Sequence, residues 1–123
     1  MAKAKVLLVE DDPVQAAAAR ESLIKVGYDV LWAEDGINAI KLVKSDKPDI
    51  ILLDVIMPLM DGFTALAEIK KDLKIKNIPV IMLTNLGTDE DKAKGEKMGA
   101  VDYIVKSNFT PTQVSEKIKE HLK

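Results

Sequence analysis

Residues 50–54 read Ile-Ile-Leu-Leu-Asp, four aliphatic side chains in succession and then an acid. A strand with one wet face alternates apolar and polar residues. An unbroken aliphatic run this short therefore marks a strand covered on both faces, as in a parallel sheet. Val6-Leu7-Leu8-Val9 upstream and Val80-Ile81-Met82-Leu83 downstream have the same character. The predicted strands are Lys5–Val9, Val30–Ala33, Ile50–Leu53, Val80–Leu83 and Asp102–Val105, the last half polar and so suited to a sheet edge.

Five helical stretches alternate with these strands. Asp12 is placed to cap the first, Pro13–Val26, with Pro13 at N1, Gln15 at N3 as in a capping box, and Gly27 as the stop. Gly36–Lys44 carries Ile37, Ile40 and Val43 at helical spacing, and a third helix starts near Gly62 with Phe63, Leu66, Ala67 and Ile69 on one side. The fourth, roughly Asp89–Met98, is short of large apolar residues and contains Gly95, which predicts marginal stability. Thr110, Pro111 and Gln113 open the fifth, whose inner stripe is Val114, Ile118 and Leu122. Five βα units joined by right-handed crossovers predict a doubly wound α/β sheet with helices on both faces.

Composition narrows the chemistry. A chain of 123 residues is one domain long, and 47% apolar with 31% charged residues excludes disorder. No stretch approaches the ~18 apolar residues of a membrane span, and the apolar run after Lys5 is too short for a signal peptide, so a cytoplasmic location is expected. With no cysteine there are no disulfides, zinc thiolates or iron–sulfur clusters. His121, the single histidine, stands near the end and argues against nucleophile–histidine triads. A net charge of −2 with Arg20 as the lone arginine disfavours nucleic acid as a partner. Carboxylates, lysine and hydroxyls remain, with a hard metal ion.

Those groups fall at strand ends, where open α/β sheets gather their functional residues. Glu10, Asp11 and Asp12 follow the first strand, Asp54 the third, Thr84 the fourth and Lys106 the fifth. Acids this close repel unless a cation compensates, and Mg²⁺ or Mn²⁺ with oxygen ligands fits that need. Metal, lysine, hydroxyl and backbone N–H groups can surround a transferring phosphoryl group, with Asp54 as nucleophile and an aspartyl phosphate as product. Each residue taken singly reads as a turn or cap residue, as Asp12 does. Five coinciding at strand ends does not. Glycine fingerprints for dinucleotides or nucleotide phosphates are missing.

Four stretches carry a family likeness: Val9-Glu10-Asp11-Asp12-Pro13, the run 52–62 from Leu52 through Asp54 to Gly62, Val80-Ile81-Met82-Leu83-Thr84, and the run 99–106 from Gly99 to Lys106. Across nearly its full length the chain resembles a CheY-like receiver domain of the bacterial response regulators of two-component signalling. The resemblance implies strand order 2-1-3-4-5, and a single receiver module over 1–123 with no output domain. It also implies that Asp54 accepts a phosphoryl group from a histidine kinase or phosphotransfer protein. Glu10, Asp11, Asp54 and the backbone carbonyl of Ile56 match the family's Mg²⁺ ligands. Thr84 matches the switch hydroxyl, Lys106 the lysine that pairs with the phosphoryl group, and Tyr103 the second switch position. The face made by helix four, strand five and helix five would then change on phosphorylation and meet a downstream effector, or a second copy in a weak dimer of an otherwise monomeric protein. Such a protein catalyses only its own phosphorylation and dephosphorylation.

Two departures from the family pattern stand out. The lysine is usually followed by a cis proline, whereas here Ser107 follows, and a cis bond before serine costs ~2.5–4 kcal/mol, so a trans bond and a shifted loop are expected. Asn85 replaces a small residue. By the same resemblance Ile56 and Leu86 match two positions flanking the site that tune hydrolysis in the family, and being apolar they cannot orient water, which predicts slow self-dephosphorylation. A phosphorylation-independent interaction module of the same fold is the main alternative, opposed by the complete set Glu10, Asp11, Asp54, Thr84 and Lys106. A metal-dependent phosphohydrolase would want an acid where Ile56 stands. Flavodoxin-like cofactor binding lacks a phosphate loop after the first strand.

Overall fold

The computed structural model describes residues 3–122. The elements are β1 (Lys5–Val9), α1 (Pro13–Val26), β2 (Asp29–Ala33), α2 (Gly36–Asp46), β3 (Ile50–Leu53), α3 (Gly62–Lys71), β4 (Val80–Thr84), α4 (Asp89–Lys97), β5 (Asp102–Val105) and α5 (Pro111–His121). A 3₁₀ turn, Lys106–Asn108, joins β5 to α5. All five strands are parallel, in the order β2-β1-β3-β4-β5. The half-polar β5 is one edge, as its composition predicts.

Side-chain parity divides the core. Leu7, Val9, Ile51, Leu53, Val80 and Met82 point to the face covered by α2 and α3. Val6, Leu8, Ile50, Leu52, Ile81 and Leu83 point to the other, with Leu23 of α1 and Ile118 of α5. Both faces are dry, which is why these strands read as continuous aliphatic runs.

Register then sets the site. Val9 lies level with Ala33 on one side and Leu53 on the other, so β1, β2 and β3 end in line. The chain continues from those ends into Glu10 and Asp54, whose amides donate to Ala33 O at 3.0 Å and Val9 O at 3.1 Å.

The helix signals act mostly as read. Thr110 and Gln113 form a reciprocal capping box at α5. At α1 the box does not form. Asp12 caps Val14 and Gln15 as expected, but the Asp12 N–H donates to Glu10 Oε2 at 3.1 Å, so the Gln15 side chain is free for another role. The second helix runs two residues past Lys44, because its breaker is Pro48, which disfavours helical geometry at Lys47. Among the described residues no peptide is cis, so the Lys106–Ser107 bond is trans as expected.

Candidate functional site

The carboxylates of Glu10, Asp11 and Asp54 offer oxygens that lie within 4.8 Å of one another. Glu10 and Asp54 are buried while Asp11 opens to solvent. Lys106 reaches into this group from the end of β5. Its ammonium donates to Glu10 Oε1, to Asp54 Oδ2 at 3.0 Å and to Gln15 Oε1 at 3.0 Å, so all three protons have acceptors. The other Asp54 oxygen accepts the Ile56 N–H at 3.3 Å.

Burial pushes the Glu10 carboxyl up, and the Asp54 charge adds to that; hydrogen bonds from Lys106 and the Asp12 amide only partly oppose it. Burial pulls the Lys106 ammonium down, but its hydrogen bonds to Glu10 and Asp54 and their charges outweigh that, leaving it above its usual value. Lysine thus acts as counter-ion to a site that remains net acidic, because one cation faces three carboxylates.

That donor set fits a small divalent ion. Octahedral Mg²⁺ at ~2.1 Å spaces its ligand oxygens ~3.0 Å apart in cis and ~4.2 Å in trans. One oxygen from each of the three carboxylates lies within 4.8 Å of the others, on the scale of that spacing. All-oxygen donors with no sulfur or imidazole select a hard cation.

The loop from β3 to α3 is pressed against the Asp54 backbone. A Cβ on Gly62 would lie 2.2 Å from Asp54 O, so no larger residue fits while the Gly62 N–H donates to Val55 O at 2.8 Å. Leu59, at the turn of this loop, adopts φ 70° and is 80% exposed. Ile56 is exposed as well.

Thr84 and Tyr103 do not touch the carboxylates. Thr84 is fully buried at the end of β4, and its hydroxyl oxygen accepts the Leu86 N–H at 3.3 Å. The Leu86 carbonyl in turn accepts the Tyr103 hydroxyl. One residue, Leu86, therefore joins the two positions. Burial, followed by the charges of Asp91 and Asp54, pushes the Tyr103 phenol up to about 12, so it remains a donor at neutral pH. Its ring lies against Gly95, where an added Cβ would meet Cδ2 at 3.0 Å. Asn85 is exposed beside Thr84.

Two participants were not read from the sequence. Gln15 looked like a capping residue; instead its Nε2 donates to Asp12 Oδ2 at 3.3 Å while its carbonyl oxygen holds Lys106. Trp32 looked like a packing residue of β2, yet its indole N–H donates to the Glu10 carbonyl at 2.8 Å. With the Glu10 N–H on Ala33 O, the main chain of Glu10 is fixed at both ends by β2. A ring donor at the carboxyl end of the strand flanking β1 was the available signal.

The model of the response regulator receiver domain matches residues 6–119. The chain belongs to that family. Among curated relatives, the receiver domain is 38% identical to Protein PilH of Pseudomonas aeruginosa over 103 residues, 84% of this chain and 85% of that protein. It is also 38% identical to the probable transcriptional regulator ycf27 of Guillardia theta over 121 residues, 98% of this chain but 46% of that protein. The chain thus spans about half the length of several curated relatives it matches. Among solved structures it superposes on Vibrio cholerae chemotaxis protein CheY4 with a TM-score of 0.91 at 32% identity, covering 98% of this chain and 100% of that one. The N-terminal receiver domain of Klebsiella pneumoniae RstA gives a TM-score of 0.90 at 31% identity, covering 97% and 98%. The acidic cluster of Glu10, Asp11 and Asp54 stands where a receiver domain holds its divalent ion. Among the described residues no helix is long and apolar enough to cross a membrane.

Proposed function

We propose that this receiver domain takes a phosphoryl group on Asp54 in a Mg²⁺-dependent reaction, from a phosphohistidine of a kinase or phosphotransfer protein, and so relays a signal. The observation that carries the reading is the buried Asp54 carboxylate, one oxygen on Lys106 and the other on the Ile56 amide, among acids whose charge one lysine does not balance. An Asp54 oxygen forms the new bond to phosphorus as the phosphorus–nitrogen bond of the donor breaks and its imidazole leaves. Lys106, already directed at this oxygen, neutralises charge that develops on the phosphoryl oxygens. Glu10, Asp11, Asp54 and the Ile56 carbonyl would hold the ion, which supplies further charge neutralisation when bound.

Signal output is proposed to follow the hydrogen-bonded link at Leu86. Recruitment of the Thr84 hydroxyl toward a phosphoryl group breaks its bond with the Leu86 amide, and that shift is felt by Tyr103 through the Leu86 carbonyl. The face of α4, β5 and α5 then presents a different surface to an effector or to a second copy. Ile56 and Leu86 offer water no polar side chain, which supports slow hydrolysis of the phosphorylated form. The same lack of an acid at Ile56 speaks against turnover of external phosphate esters.

Intact mass after incubation with acetyl phosphate and Mg²⁺ tests the assignment. The parent is expected to gain one phosphoryl group and Asp54→Asn none. Equal labelling of both, or no labelling of the parent at saturating donor, overturns it.

A further inference from the structure

Asp102 opens β5 and His121 closes α5, 19 positions apart in sequence, yet Asp102 Oδ2 and His121 Nε2 lie 3.0 Å from each other. Glu120 stands beside them, and one ligand atom from each of the three residues lies within 4.8 Å of the others. The group sits at the opposite end of β5 from Lys106, ~13 Å along the strand at ~3.3 Å per residue. It is therefore distinct from the cluster of Glu10, Asp11 and Asp54.

The three donors are held in different ways. Asp102 Oδ1 accepts the Tyr103 N–H at 2.8 Å, which fixes the carboxylate on its own strand with Oδ2 facing α5. The Asp102 and His121 side chains are 25% and 26% exposed, while Glu120 at 59% forms the side open to solvent. The Lys117 ammonium lies 3.9 Å from Asp102 Oδ2 and 3.6 Å from Glu120 Oε2, beyond hydrogen-bond length to either. One loosely held cation thus faces two carboxylates. Glu120 and His121 also lie in the last turn of α5, at the negative end of its dipole, which favours a further positive charge. An imidazole with two carboxylates suits zinc and neighbouring transition ions, whereas the all-oxygen cluster at Glu10 suits Mg²⁺. A tetrahedral ion with donors at ~2.0–2.1 Å spaces them ~3.3 Å apart, and the separations here are on that scale.

We propose that Asp102, Glu120 and His121 form a second metal site, for Zn²⁺ or a similar transition ion. His121 Nε2 and one oxygen of each carboxylate are the ligands, with water in the fourth position. The imidazole binds as the neutral form with its proton on Nδ1, so the ion takes the place of the hydrogen bond between His121 and Asp102. Lys117 acts as a competitor that the ion displaces. Once bound, the ion ties the last turn of α5 to the first residue of β5, two elements of the face proposed above for signal output. The site does not rest on phosphorylation of Asp54.

Titration of Zn²⁺ into the full chain, with Mg²⁺ in excess to compete at the all-oxygen cluster, tests the site by ¹H–¹⁵N NMR of the amides and of the His121 ring. Saturable shifts are expected at the Asp102, Tyr103 and His121 amides and at the ring Nε2, with one ion per chain. His121→Gln is expected to weaken binding at least tenfold, and Glu120→Gln, at an exposed position, reports the same direction should the first variant disturb the fold. Lys117→Met removes the competing ammonium and tightens Zn²⁺ binding about fivefold at low salt. A purely structural pair of His121 and Asp102 would not produce that gain. Shifts confined to Glu10, Asp11 and Asp54, unchanged affinity in His121→Gln, weaker binding in Lys117→Met, or no saturation below about 1 mM Zn²⁺ overturns the proposal. So does a doubled mass in sedimentation, which would place the ion between two copies of the chain.

Discussion

Replacing Lys106 by methionine keeps the length of the side chain and removes its charge. Side-chain exposure is 20% for Lys106 and 5% and 9% for its partners Glu10 and Asp54, so two largely buried carboxylates would be left facing each other. Breaking a buried ion pair by removing one partner costs ~3–5 kcal/mol. The lysine here retains some contact with solvent and the stranded acids can take up a proton, so the expected loss is about 2–3 kcal/mol. At ~2.1 cal/mol/K of unfolding entropy per residue, that lowers the melting temperature of a domain this size by about 10 °C. The assay is thermal unfolding by circular dichroism at neutral pH and low salt in EDTA. Adding Mg²⁺ supplies a replacement cation, so Lys106→Met gains more from the ion than the parent does and the gap narrows. Equal melting temperatures in EDTA, or a gap that Mg²⁺ leaves unchanged, would refute the view that Lys106 serves as counter-ion to this cluster.

Asp11→Asn relieves repulsion at an exposed carboxylate and is expected to raise the melting temperature slightly in EDTA while abolishing most stabilisation by Mg²⁺; differential scanning calorimetry with and without the ion reads both. Trp32→Phe keeps a ring in β2 but deletes the donor to the Glu10 carbonyl; it should weaken Mg²⁺ binding about three- to tenfold by calorimetry, the equivalent of ~1 kcal/mol for one hydrogen bond, with faster amide exchange at Glu10 and Asp11. Because the folded Glu10 carboxyl titrates above its ordinary value of 4.5, the folded chain retains a proton that the unfolded chain has released. Its contribution to stability is therefore present at low pH and is lost as pH rises through the folded value. Protons likewise compete with Mg²⁺ at a higher pH than at an ordinary carboxylate, and calorimetric titrations between pH 7.5 and 5 should show affinity falling before pH 4.5 is reached. Once acetyl phosphate is removed, the phosphorylated chain should decay over minutes or longer, and a half-life of seconds without a phosphatase contradicts the roles given to Ile56 and Leu86.

The aliphatic runs of β1, β3 and β4 determined their own burial, since only a doubly covered sheet tolerates them, and the acids and lysine at the strand ends were legible as one cluster, which Thr84 does not join in this structure. The caps at Asp12 and Thr110 and the stop at Gly27 are local chemistry and were legible for the same reason. What Gln15 and Trp32 do was not, because each acts through a partner distant in sequence, Gln15 on Lys106 and Trp32 on the Glu10 carbonyl. The link from Thr84 through Leu86 to Tyr103 likewise required β4 and β5 side by side. Local sequence specifies periodicity, caps and breakers, which depend on neighbours a few residues away. Strand register decides which distant groups share a hydrogen bond or a charge, and that emerges only when all five strands pack at once.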